Sequence, residues 1–119
     1  MVSLMTIDAT LPGHLQELRR GTVVVASLMV LREPGYGYSL LETLSAAGFE
    51  VEANTLYPLL RRLEAQGLLT SEWNTDEARP RKFYRTTEAG DAVTDVLVTE
   101  WARLDKAITD LDTTTGSRK

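Results

Sequence analysis

Apolar side chains recur at spacings of three and four along three stretches of the chain, a pattern typical of helices that bury one face. The three predicted helices run from Leu15 to a stop at Pro34-Gly35, from about Tyr38 to Ala47, and from Asn54 to Gln66. Gly48 and Gly67 follow the second and third helices, where the left-handed conformation that ends many helices favours glycine. The inward positions of the first helix are expected to include Leu15, Leu18, Thr22 and Val25.

Proline fits a helix at little cost only within the first turn, where the amide that it lacks would have no partner. Pro58 therefore favours a late start for the third helix, and Asn54 is the residue expected to cap it. The same side chain could also contact a ligand, so both interpretations of Asn54 stay open.

The pattern changes after Gly67. Leu68 to Trp73 and Lys82 to Thr86 resemble two short strands, joined by a polar loop from Asn74 to Arg81. In such a hairpin Phe83 and Tyr84 point to opposite faces, and Phe83 is expected to be the core residue.

A last helix follows, with Thr87 as its predicted cap. Its apolar residues alternate spacings of four and three, which is typical of a coiled-coil seam that requires a partner. These residues are Leu97, Trp101, Leu104, Ile108 and Leu111. They are the predicted dimer interface.

This order of elements predicts a mainly α fold with a small β-hairpin, namely a winged helix-turn-helix plus a C-terminal dimerisation helix. The predicted parts are a flexible arm over residues 1–14, the winged helix-turn-helix over 15–87, the dimerisation helix over 88–112 and a disordered tail over 113–119.

Composition removes many functions from consideration. The chain has 119 residues, no Cys and one His, so common catalytic and metal sites have few possible ligands, and neither an enzyme nor a metal or other cofactor is expected. The formal charge of −4 is unevenly spread. Residues 86–112 hold seven acids against Arg103 and Lys106, whereas Arg79 to Arg85 carries four positive charges. The acidity therefore does not argue against a nucleic-acid partner.

Four blocks of sequence carry a resemblance to a known family. They are Leu18-Arg19-Arg20-Gly21-Thr22, Gly35-Tyr36-Gly37-Tyr38, the block from Asn54 to Glu64 with Gly67-Leu68-Leu69, and the block from Arg81 to Gly90. In this order and spacing the chain resembles PadR-family transcriptional regulators over residues 15–111. The resemblance implies a cytoplasmic homodimer that binds double-stranded DNA at a palindromic operator and represses transcription. The single C-terminal helix is similar to that of the compact subfamily that includes multidrug-sensing repressors.

Candidate DNA contacts lie on the third helix and the hairpin. The predicted contacts are Asn54, Thr55, Tyr57 and Arg61 on the recognition helix, Arg79, Arg81 and Lys82 on the wing and, by resemblance, Tyr38. Each has a structural alternative: Tyr38 and Tyr57 could simply pack, and Arg61 or Arg62 could pair with Glu64 or Glu42. A winged-helix module that binds protein, with the basic wing as its docking patch, is the alternative function.

Trp101 is the candidate effector-binding residue, together with Asp105 and Leu97. Two copies of a large, flat side chain across a dimer axis would either stack or leave an aromatic slot. The resemblance to multidrug-sensing repressors implies a slot for a planar aromatic molecule, and Asp105 and Glu100 would favour a cationic one. Ordinary packing in the dimer core is the alternative.

Overall fold

The computed structural model describes residues 4–76 and 78–115, which form four helices and three short strands. In chain order the elements are α1 (Leu4–Val30), β1 (Gly35–Tyr36), α2 (Gly37–Ala46), α3 (Ala53–Ala65), β2 (Leu69–Asn74), β3 (Arg81–Thr86) and α4 (Glu88–Thr115). The predicted mainly α winged helix-turn-helix is confirmed. The radius of gyration is 17.8 Å, well above the roughly 13.5 Å of a compact chain of this length, because α1 and α4 extend beyond the core.

Helix α1 starts earlier than the sequence pattern predicts. It begins at Leu4 and passes through Pro12, so the prediction of a loosely ordered arm over residues 1–14 was wrong for residues 4–14. Residues 1–3 lie outside the described part. Pro12 has no amide hydrogen and so cannot donate one of the helical hydrogen bonds. The helix continues through this position because each further residue added to an existing helix contributes a hydrogen bond.

The buried face of α1 is also shorter than predicted. Val23, Ser27 and Leu28 are buried, as is Leu31 just after the helix, whereas Leu18 is 71% exposed. The reason is that α1 meets the core only through its last turns, and its first half extends away from the domain.

Helices α2 and α3 pack at the centre, and both end as predicted. Gly48 has φ 103° and Gly67 has φ 81°, the left-handed conformation that glycine adopts without strain. After α2 the amide of Phe49 donates to the carbonyl of Leu44, and after α3 the amide of Leu68 donates to that of Leu63. These bonds satisfy carbonyls that the helix ends would otherwise leave unpaired.

The start of α3 differs from the prediction. The helix begins at Ala53 with Glu52 as its N-cap, and no side chain caps it, so the assignment of Asn54 as the cap was wrong. Pro58 lies inside the helix, and its carbonyl partner would have been Asn54 in the exposed first turn. Burial of Leu56, Leu59, Leu60 and Leu63 on one face stabilises the helix and offsets the missing bond.

The three strands form one antiparallel sheet in the order β1-β3-β2. The hairpin β2–β3, called the wing below, runs in register from Leu69 opposite Thr86 to Asn74 opposite Arg81. Tyr84 is only 5% exposed and lies in the core, and Phe83 lies on the other face beside Tyr36. The prediction that Phe83 is the core residue was therefore wrong, because the face of the sheet that carries Tyr84 is the one turned towards α3.

Helix α4 is fixed to the domain at its first turns. Thr87 caps it as predicted, its hydroxyl accepting from the amide of Gly90 at 3.0 Å. Gly90 lies directly against the carbonyl of Leu68, and Arg32, just after α1, donates a hydrogen bond to the carboxylate of Asp95 at 2.6 Å. Residues 113–115 continue the helix, so the prediction of a tail from 113 was wrong for them, and residues 116–119 lie outside the described part.

Beyond this junction the apolar seam of α4 is largely uncovered in a single chain. Leu97 packs against the core, but Trp101 is 52% exposed and Ile108 63% exposed, and Leu104 and Leu111 are exposed as well. Most of the predicted interface is thus solvent-facing apolar surface.

Candidate nucleic-acid interface

An open groove separates the wing from the start of α2 and from α3. Its volume is about 650 Å³, and its lining is aromatic and cationic. The residues that line it include Tyr36, Tyr38, Tyr57, Trp73, Arg79, Arg81 and Lys82. Five of the predicted DNA contacts, Tyr38, Tyr57, Arg79, Arg81 and Lys82, are thus brought to one concave surface.

Tyr36, Tyr38 and Arg81 form a cluster at one wall of the groove, called the arginine stack below. The two rings stack with centroids 5.7 Å apart and an interplanar angle of 13°. The guanidinium carbon of Arg81 lies 5.4 Å from the Tyr36 centroid and 5.0 Å from the Tyr38 centroid. Its Nη1 also donates to the hydroxyl oxygen of Tyr38 at 2.5 Å. The contacts fix both the position and the plane of the charge.

Asn74 joins the arginine stack to the tip of the wing. Its Nδ2 donates to the hydroxyl of Tyr36, and its Oδ1 accepts from the backbone amide of Asp76 at 3.0 Å. Phe83 meets the ring of Tyr36 edge-on at 6.0 Å between centroids. The end of β2, strand β1 and the middle of β3 are therefore held together by side chains of one face of the sheet.

Lys82 lies on the opposite face of β3. Its Nζ is 3.6 Å from a carboxylate oxygen of Glu64 on α3 and lies over the rings of Trp73 and Tyr84. Glu64 also accepts a hydrogen bond from Ser71. Burial raises the pKa of the Tyr84 phenol, and the nearby ammonium of Lys82 lowers it in part. Lys82 thus connects the wing to α3, while Arg81 faces the groove from the arginine stack.

Helix α3 presents Asn54 and Arg61 on its exposed side, opposite the buried leucines. The alternative that Arg61 or Arg62 pairs with a carboxylate is not observed: within residues 4–76 and 78–115 neither forms an ion pair, and Glu64 pairs with Lys82 instead. The guanidinium of Arg61 is consequently available to a ligand.

Tyr57 packs against the first residue of α2. A Cβ on Gly37 would overlap the Tyr57 ring, so only glycine permits this approach of the two helices. The ring is half-buried and also lines the groove, so packing and ligand contact are compatible for this residue.

Thr55 lies apart from the other candidates. It faces a second groove, of about 980 Å³, between α1 and α3, together with Arg19 and Arg62. The structure therefore does not bring Thr55 to the wing side of α3.

The chain is similar to proteins of one regulator family. The transcriptional regulator PadR-like family matches residues 27–95, more than half of the chain. This chain belongs to the PadR-like family of transcriptional regulators. Transcriptional regulator Rv3488 of Mycobacterium tuberculosis is 49% identical over 57 residues, which cover 48% of this chain and 53% of that protein. The matched segment thus spans about half the length of that curated relative.

Solved structures extend the similarity over most of the regulator. A PadR family transcriptional regulator from Eggerthella lenta is 48% identical with a TM-score of 0.84, covering 90% of this chain and 96% of the other. A transcriptional regulator from Streptococcus is 27% identical with a TM-score of 0.72, covering 80% and 96%. The regulator family inferred from the sequence is confirmed, and it is a family of regulators rather than of enzymes.

Tyr36, Asn74 and Trp73 belong to the groove or to its wall but are not among the contacts that the sequence predicts. Tyr36 precedes Tyr38 in the block that carries the resemblance, and the register of the hairpin places Trp73 opposite Lys82. That register is the only signal for Trp73. The sequence pattern places Asn74 at the start of the loop, and nothing in its neighbourhood along the chain indicates a contact with Tyr36.

On α4 the two acids near Trp101 differ in their pairing. Arg103 donates to both carboxylate oxygens of Glu100, at 2.9 and 2.7 Å, and this lowers the pKa of Glu100. Asp105, one turn after Trp101, has no ion pair among the described residues. Asp105 is therefore the carboxylate of the two that keeps its charge available beside the tryptophan.

Metal sites and membrane spans are both absent from the described ranges. No cluster of three or more metal-ligating side chains occurs within residues 4–76 and 78–115. Among the helices of that same part of the chain, none has the length and apolar character needed to cross a membrane.

Proposed function

We propose that the regulator is a homodimeric, sequence-specific DNA-binding protein of the cytoplasm that represses transcription. The observation that carries the proposal is the exposed side of α3, where Asn54 and Arg61 lie about one turn before and after Tyr57, which lines the cationic groove of the wing. Among the described residues Arg61 forms no ion pair. Asn can pair with adenine and Arg with guanine in the major groove, so α3 would supply base recognition. The wing would bind backbone phosphates and fix the register.

The uncovered seam of α4 supports the homodimer. Leu104, Ile108 and Leu111 form an exposed apolar stripe on a helix that leaves the domain, and a second copy of the same stripe would bury it. A two-fold dimer places its two α3 helices in successive major grooves about 34 Å apart, which requires a palindromic operator.

The distribution of charge would orient this dimer on DNA. Asp91 of α4 contacts the wing through Thr86, but the acids from Glu100 to Asp112 lie on the part of α4 that leaves the domain, and negative charges repel phosphates at close range. The basic wing would therefore approach the duplex first.

We also propose that a small aromatic effector binds at the dimer interface beside Trp101, Leu97 and Asp105 and releases the DNA. The exposed ring of Trp101 offers a flat apolar surface, and the carboxylate of Asp105, which has no ion pair within the described part of the chain, favours a cationic molecule. Such an effector can act only by binding one arrangement of the two DNA-binding domains more tightly than another.

Fluorescence anisotropy of labelled duplexes tests the proposal. Duplexes that tile the DNA upstream of the regulator's own gene are compared with length-matched scrambled duplexes at about 150 mM salt. We expect one tile to bind preferentially, and Arg61→Ala to reduce that preference by about 5- to 150-fold, as loss of a bidentate base contact predicts.

Arg103→Ala is the matched control, because it removes an arginine from the acidic surface of α4 that is far from the groove. It should leave the preference unchanged. If no tile binds better than its scrambled counterpart, the proposal of sequence-specific binding is wrong and the alternative of a protein-interaction module gains support.

A further inference from the structure

We propose that Tyr36 is a positioning residue that holds the Arg81–Tyr38 pair as a preformed binding site for one DNA backbone phosphate. The inference rests on the proposed DNA binding, but not on its sequence specificity. Nothing in the sequence assigns Tyr36 a role in binding, and the residue acts through the two side chains that it contacts.

The hydrogen bond in the arginine stack has a defined direction. Arg81 donates to the hydroxyl oxygen of Tyr38 at 2.5 Å. The hydroxyl proton of Tyr38 is then left to donate to another acceptor. A hydroxyl that accepts a bond from a cation becomes a stronger donor, because neighbouring hydrogen bonds polarise one another.

The groove around Tyr38 suits an anionic ligand. Tyr38 is 42% exposed and lines the groove with Arg81 and Arg79. An O–H donor, a planar cation and a second arginine at one concave surface suit an anion with several acceptor oxygens. A DNA backbone phosphate has this chemistry. When α3 lies in the major groove of DNA, the wing of a winged helix lies against the DNA backbone.

Tyr36 holds this pair in place. Arginine has a long side chain that loses many rotamers when it is immobilised on binding. Here the guanidinium already lies 5.4 Å from the Tyr36 centroid, and the same ring stacks on Tyr38. Asn74 and Phe83 contact Tyr36 in turn. The contacts of Tyr36 therefore fix the conformation of Arg81 in the absence of DNA. The site is preformed in the sense that less side-chain entropy is lost when the phosphate binds.

The salt dependence of DNA binding separates this role from a merely structural one. Each neutralised phosphate adds about −0.9 to the slope of log affinity against log salt. We expect Arg81→Ala to lower the magnitude of the slope by about 0.9, so that the wild type loses about 3.5-fold more affinity than the variant between 50 and 200 mM salt. Tyr36→Leu should lower it by a similar amount, and Tyr36→Leu combined with Arg81→Ala should lower it no further.

Two controls accompany the series. Tyr36→Phe keeps the ring under Arg81, so the wild-type slope should be retained. Phe49→Leu removes an aromatic ring that packs against the core and does not line the groove, so its slope should also match the wild type even where stability falls. If Tyr36→Leu does not fold, Tyr36→Val, whose branched side chain suits the extended backbone at this position (φ −77°, ψ 154°), replaces it.

Measurements on both the preferred and the scrambled duplex keep the two proposals distinguishable. A changed slope on both duplexes without any sequence preference would support the phosphate site and contradict specific recognition. An unchanged slope for Tyr36→Leu or for Arg81→Ala, a loss of slope in Phe49→Leu equal to that in Tyr36→Leu, or no binding to either duplex would each overturn the role of Tyr36.

Discussion

Gly90 provides the sharpest test of how α4 is attached to the domain. Gly90→Ala would place a Cβ in overlap with the carbonyl oxygen of Leu68, 3.0 Å from the Leu68 carbonyl carbon and 3.3 Å from the Thr86 Cβ. The oxygen cannot turn away at low cost, because the amide of Thr87 donates to it at 3.1 Å. The backbone of α4 would have to shift instead.

Two opposing contributions set the magnitude. Alanine is favoured over glycine inside a helix by about 0.8–1 kcal/mol, whereas overpacking a fitted contact costs about 1–3 kcal/mol. The overlap is with backbone rather than with a flexible side chain, so the cost falls near the upper end. We expect a net destabilisation of about 2 kcal/mol, which lowers Tm by roughly 6–12 °C for a chain of this size.

The assay is thermal unfolding followed by circular dichroism at one fixed protein concentration, since Tm of an oligomer depends on concentration. Gly21→Ala is the matched control: Gly21 also lies inside a helix, but a Cβ added there would have no heavy atom within 4 Å. Its Tm should rise by a few degrees. A Gly90→Ala protein with a Tm equal to or above that of the wild type would refute the close contact between α4 and Leu68.

Three further outcomes are expected. Leu104→Glu combined with Ile108→Glu should give a monomer by light scattering with an intact fold, because both side chains are exposed in the single chain; a dimer would exclude the proposed interface. A planar aromatic cation should quench tryptophan fluorescence in the wild type but not in Trp101→Ala, whereas equal responses would indicate that Trp101 does not line the slot. The raised pKa of Tyr84 means that the folded state favours the neutral phenol, so this stability is present below about pH 10 and is lost as pH rises through the raised pKa. The wild-type Tm should therefore fall more steeply than that of Tyr84→Phe as pH rises above about 10, and identical profiles would contradict the burial of the phenol.

The elements that the sequence predicted best are those whose signals are local. The leucine spacing of α3 and the glycines after α2 and α3 specify a buried face and two helix ends, and both are found in place. The start of α1 had no such signal. Its first turns touch little of the core, so neither periodicity nor a capping residue marks where the helix begins.

The same contrast between local and long-range information applies to the candidate site. Charge along the chain located the wing cations, but alternation in a strand shows only that neighbours face opposite ways and not which face is inward. The prediction therefore placed Phe83 in the core, where the structure has Tyr84. The contacts of Arg81 with Tyr36 and Tyr38, and of Lys82 with Glu64, join residues far apart in sequence, so only the fold could reveal that these two adjacent cations have different partners.

The close contact at Gly90 also gives α4 the mechanics of a lever. From Gly90 to Thr115 a helix with a rise of 1.5 Å per residue spans about 38 Å. A rotation of only about 5° at this junction would displace the far end by about 3.3 Å, close to the rise of roughly 3.4 Å per base pair along the DNA axis. In the proposed dimer, small changes of angle where α4 leaves the domain would thus be enough to shift the two DNA-binding domains out of step with the duplex by a whole base pair.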